Sequence, residues 1–313
     1  MKTSLHHLIT MKNPIRNLTC RIAGLAVLGL MLSPSARAAA GNATWSGAAD
    51  ALWSTAGNWS GSLIPGVGNT ATFNAASGNT TITVGTISLA NITFDTINAA
   101  AYTLGATPSA GTITFGNGTT TAVTMNSAVA ANETINADIF LGTAIASTTT
   151  FQNDSTAGTL TLGGTIGGGT GGLAAAKSVI ITGSGNTTMS GVLWNDGASS
   201  VDLTKNGTGA LTLSGGNLYT GNTTISGGVV NIQNATSLGS TAAGTTVASG
   251  AALQIQGGIV VGTEALTLNG TGIGGTGALR NISGANTYGG LLTLGGTTRI
   301  NTDSGSLNLS TPG

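Results

Sequence analysis

The chain has 313 residues, enough for one large domain or two ordinary ones. Gly occurs 52 times and charged residues make up only 6 %, with Thr, Ala, Asn and Ser filling most of the rest. Low charge with many β-branched residues excludes a disordered chain, and scarce helix formers exclude a helical one. Formal net charge is zero, but Lys2, Lys12, Arg16, Arg21 and Arg37 all lie at the start, so the remainder sets Lys177, Lys205, Arg280 and Arg299 against 9 acids. That body lacks the basic stripe a nucleic acid partner needs.

Residues 1–38 read as a secretory signal peptide. Lys12, Arg16 and Arg21 form its charged start and Ile22–Leu32 its apolar centre. Ala36-Arg37-Ala38 is an A-x-A site with cleavage expected after Ala38, and Ala40 is a second option. The competing reading, a membrane anchor, needs roughly 20 apolar residues, about twice this run. Met11 is a second candidate start. Cys20, the single cysteine, leaves with the leader, so the exported chain holds no disulfide.

Residues 39–72 carry Trp45, Trp53 and Trp59 and are expected to cap the end of a repeat array, where bare strand edges must be blocked. The alternative is a sugar-stacking platform.

From 73 to 166 the chain repeats. Phe73, Phe94 and Phe115 recur at one even spacing in short strands (TATF, NITF, TITF), interleaved with Val84, Leu104 and Met125. Identity repeating at one period predicts a β-solenoid with coils of about 21–23 residues, in which Phe73, Phe94 and Phe115 stack as one core column. An antiparallel sandwich is the alternative. The glycine run at 167–172 marks a soft boundary. Beyond it, 167–313 continues with strands such as Leu211-Thr-Leu213 and Leu266-Thr-Leu268, which repeat the pattern of Leu160-Thr-Leu162 between Gly-rich corners.

Residues 203–230 carry Lys205, Gly207, Gly209, Asn217, Tyr219 and Gly221 in an order that closely resembles the autotransporter-associated β-strand repeat. A degenerate copy at 278–294 keeps Asn286 and Tyr288, three coil lengths beyond the first pair, but lacks the Lys-x-Gly-x-Gly lead-in. The opening Trp segment is similar to the start of many such exported proteins. The resemblance implies an all-β, right-handed parallel β-helix and secretion or cell-surface display of the Gram-negative type. It brings no catalytic residues. Each Asn is expected to bond the backbone of its turn. Each Tyr is expected to lie along a neighbouring coil with its hydroxyl reaching water or a partner. The competing view makes Tyr219 and Tyr288 exposed sugar-stacking residues.

Enzyme chemistry finds little support. His6 and His7 lie in the leader, which removes His- and Cys-dependent nucleophiles and the usual zinc sets from the exported chain. Asn301-Thr302-Asp303 is similar to a triplet of polygalacturonase-like enzymes, but the paired acids such sites require are missing. Gly274–Gly277 lacks the Asp of calcium-binding repeats. Thr-x-Thr pairs (Thr70/Thr72, Thr81/Thr83, Thr112/Thr114) suggest either an ice-binding array or simply good strand residues. The expectation is a non-catalytic, adhesin-like rod without cofactor or metal, meeting a surface, glycan or cell. The alternative is a degenerate polysaccharide-active enzyme or a carbohydrate-binding module. No barrel-like region occurs in the 313 residues, so an outer-membrane barrel or anchor is expected on a separate or downstream segment.

Overall fold

Local alternation sets the backbone. In Thr70–Phe73, Asn91–Phe94 and Thr112–Phe115 every second side chain is buried and the Thr or Asn between them is not. This is the pattern of a strand with one dry face. The computed structural model describes residues 39–116, 120–142, 147–168, 176–195 and 199–310. The leader with Ala36 and Ala38 lies outside the described residues, as does most of the glycine run at 167–172.

Among the described residues 28 strands form sheets of 11, 10, 4 and 3 strands. Every pairing of these strands is parallel. An antiparallel sandwich is thereby ruled out, and the fold is a parallel β-solenoid. Successive coils visit the eleven-stranded sheet, then the ten-stranded sheet, then a third side. On that third side the four strands Thr86–Leu89, Thr112–Phe115, Asp138–Phe140 and Ile166–Gly167 pair first. Val260–Val261, Ala285–Tyr288 and Ser306–Leu309 pair last. Between them the third side is made of turns: Leu193 bridges Ile166, the Leu218 N–H donates to the Leu193 carbonyl (2.8 Å), and Ser240 donates to that of Tyr219 (2.9 Å).

Register along the eleven-stranded sheet measures each coil. From Lys205 through Ile225 and Val247 to Leu268 the steps are nearly equal. The step from Ala71 to Ile92 matches them, but Ile92 pairs next with Val123, half as far again along the chain. This corrects the expected Phe column. Phe73 and Phe94 pair, with ring centroids 5.4 Å apart, and the next residue in their column is Met125. Phe115 is equally buried but faces Leu89 on the third side. In this long coil the regular Phe spacing, counted on from Phe94, falls short of a full turn. The second series separates for the same reason: Leu104 stacks with Ile82 and Ile135, while Met125 belongs to the other sheet.

The core runs the length of the solenoid as inward-facing columns. One contains Ala71, Ile92, Val123, Phe151 and Ile181, all essentially inaccessible. At the N-terminal end Trp45, Trp53 and Trp59 are buried against one another, with centroid separations of 5.0 and 4.6 Å, and against Phe73. Each indole N–H donates to a backbone carbonyl, of Asn79, Pro65 and Trp53 respectively. Rings packed this way leave no face for a sugar.

Candidate functional site

The repeat at 203–230 supplies one inward lysine and a set of tight corners. Lys205 follows Ile181 in the inward column and is buried, so its ammonium cannot reach bulk water. It donates instead to the carbonyls of Asn206, Gly207 and Gly227. Burial still lowers its proton affinity, to about 8 from the ordinary lysine value of 10.5. Gly207 turns the chain at φ +69°, a conformation side chains disfavour. Gly209 lies so close above Gly185 that a β-carbon there would collide with the Gly185 carbonyl oxygen. Gly221 is set against Val201 in the same way.

Asn217 occupies the part of the third side that has no paired strand. Its side chain does what a strand would do. Oδ1 accepts from the Leu193 N–H on the coil before (2.8 Å), and Nδ2 donates to the Ser237 carbonyl on the coil after (2.6 Å). One buried amide thus joins three coils. Leu218, between the two motif residues, is 64 % exposed, whereas Tyr219 is fully buried with its hydroxyl 2.6 Å from Thr223 Oγ1.

The degenerate copy keeps the bond to the coil before but not the one to the coil after, because its Asn lies in a strand paired on both sides. Asn286 Oδ1 accepts from the Ile259 N–H (2.7 Å), and its Nδ2 donates to the Ser283 carbonyl and to Asn281 Oδ1. Tyr288 is also fully buried. The steps from Ile225 to Val247, Leu268 and Leu294 show that the two copies stand three coils apart. Both rings are buried, which goes against the competing sugar-stacking view; neither hydroxyl reaches water, and where that of Tyr219 bonds Thr223, that of Tyr288 has no partner. The coil above each motif covers the ring, which a local turn pattern does not reveal.

Two acids that look isolated in the sequence are inside the solenoid. Glu133 is fully buried, its Oε2 accepting from the Tyr102 N–H (2.9 Å). Burial pushes its proton affinity up to about 8. Glu264 is 4 % exposed and accepts from Thr245 Oγ1. The signal that could have found Glu264 is the pair of Asn-x-Tyr copies, since Thr223 and Thr245 occupy adjacent rungs between them. The acid of the enzyme-like triplet is elsewhere. Asp303 forms an ion pair with Arg280 and accepts from Asn301 Nδ2, and these partners hold its carboxyl below the usual range. Among the described residues no three His, Cys, Asp or Glu side chains cluster as metal ligands would.

The outward faces are ordered as well. Thr204, Thr224, Thr246, Thr267 and Thr293 stand in register on five successive coils of one sheet. Thr81, Thr103, Thr134, Thr161, Thr188 and Thr212 do so on six coils of the other. These are single rows. The Thr70/Thr72 pair meets Asn91 and Thr93 on the next coil, so a double threonine lattice does not continue.

Residues 203–232 match the passenger-associated transport repeat family. Over 149 residues, 47 % of this chain, the sequence is 35 % identical to the adhesin BmaC autotransporter of Brucella suis biovar 1 (strain 1330). The chain spans only 4 % of that relative's length. No solved structure matches it. The lysine–glycine corner, the coil-joining asparagine and the parallel coils agree with these likenesses: the chain carries an autotransporter-type passenger repeat at 203–232 and is similar to a stretch of an autotransporter adhesin, which implies secretion or cell-surface display of the Gram-negative type.

Proposed function

We propose that this chain is a non-catalytic, adhesin-like passenger segment that presents a rod-like surface to a cell, glycan or other surface. The observation that carries this reading is the division between inside and outside. The aromatic rings of the Trp and Asn-x-Tyr motifs, together with Glu133 and Glu264, are buried, while one outward row on each large sheet carries uncharged threonine over five or six coils. Such rows offer hydroxyls and methyls at one strand spacing, about 4.8 Å, without steering by charge. The relative's designation as an adhesin supports the same reading.

The rival is a polysaccharide-active enzyme acting through Asp303. Its carboxylate is engaged by Arg280 and Asn301, and these, not a second carboxylate, are the groups that set its charge. The test uses the full chain on immobilised glycans and cultured cells, with retention and release of reducing ends measured together. Retention without release, unchanged in Asp303→Asn and reduced in Thr224→Asp/Thr246→Asp at an unchanged melting temperature, is expected. Turnover abolished by Asp303→Asn would overturn the reading.

A further inference from the structure

The two Asn-x-Tyr copies enclose a carboxyl that has no cation. Glu264 precedes the strand Ala265–Leu268, and Gly290 lies against its backbone, which brings Tyr288 to the adjoining coil. Glu264 Oε1 accepts from Thr245 Oγ1 at 3.0 Å, and Oε2 has no hydrogen-bond partner. The Tyr288 hydroxyl is buried and also has none. From the preceding coils Tyr219 and Thr223 bond each other, and Thr223 pairs with Thr245. The titratable groups acting on this cluster are Glu264, Tyr219 and Tyr288. The buried ammonium of the repeat, Lys205, is engaged by backbone carbonyls instead.

An ionised carboxylate here would sit in a dry interior with one oxygen unsatisfied, which is costly. A neutral carboxyl removes the charge and turns its second oxygen into a donor beside the equally unpartnered Tyr288 hydroxyl, to which it is not bonded in the structure. We propose that the Tyr219–Glu264–Tyr288 cluster is a pH-sensitive latch, closed when Glu264 carries its proton and loosened when it does not, that sets the order of the coils around 260–294. Burial supports this, since it raises the Glu264 carboxyl to about 7 against an ordinary 4.5, and the Thr245 bond only partly offsets that. Burial, and the charge of Glu264, raise the Tyr288 hydroxyl further still, so it stays protonated as a donor or acceptor. Because the folded chain binds this proton more tightly than the unfolded chain, the stabilisation is complete below the ordinary glutamate range and is lost as pH rises through about 7.

The chain has only two glutamates, Glu133 and Glu264, so carboxyl-labelled glutamate gives two signals that Glu133→Gln assigns. In the full chain the Glu264 signal is expected to titrate near 7, and a midpoint below 5, the ordinary range, would overturn the latch. Hydrogen exchange, corrected for its intrinsic pH dependence, provides the second readout. In the Glu133→Gln background, which removes the other buried carboxyl, protection at 260–294 is expected to fall roughly tenfold between about pH 5.5 and about pH 8.5 and to stay flat once Glu264→Gln is added. The same fall in the double variant would place the pH response elsewhere and sink the proposal. Should that variant not fold, the carboxyl titration of the native chain decides alone.

Discussion

Replacing Asn217 by Ala tests whether one amide substitutes for a missing strand ladder. The substitution removes two hydrogen bonds, from the Leu193 N–H and to the Ser237 carbonyl, and both backbone groups belong to other coils. Asn217 is 2 % exposed, so water does not replace the lost partner without local opening. Each orphaned buried group costs about 1–3 kcal/mol, so the pair should cost about 2–6 kcal/mol. For a domain of this size that corresponds to a melting temperature lower by roughly 5–15 °C. Circular dichroism melts would measure it, and hydrogen exchange should show opening at both Leu193 and Ser237, one coil to either side. Leu218→Ala, on the exposed neighbour, is the control and should melt within about 1 °C of the native chain. If Asn217→Ala melts like the control, the corner does not depend on this amide, and the resemblance between the two Asn-x-Tyr copies needs another explanation.

Other expectations follow from packing and charge. Phe94→Ala should cost about 3–5 kcal/mol in melts, and a double-mutant cycle should couple it to Phe73, whose ring it touches, but add simply with Phe115→Ala on the third side. Gly209→Ala should lower the yield of folded chain sharply, because the added carbon meets the Gly185 carbonyl, and Gly250→Ser, where a β-carbon meets open space, should be far milder despite its positive φ. Glu133 is held protonated by burial up to about 8, so its share of stability is present below the ordinary 4.5 and disappears as pH rises through about 8. Melts across that range should show the native chain losing roughly 5 °C more than Glu133→Gln; identical slopes would mean the carboxyl is solvated.

The strands are legible in the sequence because their cause is local. Leu160–Leu162 and Ala265–Leu268 carry the L-T-L alternation that leaves one face dry, and the structure forms strands at both. Parallel stacking is legible from repeated identity, and the three-coil spacing of the Asn-x-Tyr copies follows the register from Ile225 to Leu294. The Phe series misleads at its third member. Periodicity counts residues, whereas a column is defined by a full turn of the chain, and the turn from Ile92 to Val123 is half as long again as the one before it.

The sequence by itself determined the class of structure: alternation made the strands, glycines made the corners, and the Lys-Gly-Asn-Tyr order carried the repeat. Only the tertiary structure decided which residues lie under another coil. Tyr219, Tyr288, Glu133 and Glu264 are buried by coils distant in the chain, so nothing in their immediate neighbours distinguishes them from exposed side chains. Burial depends on what stacks above, and the varied coil lengths, set by turns and not by the strands, fix that.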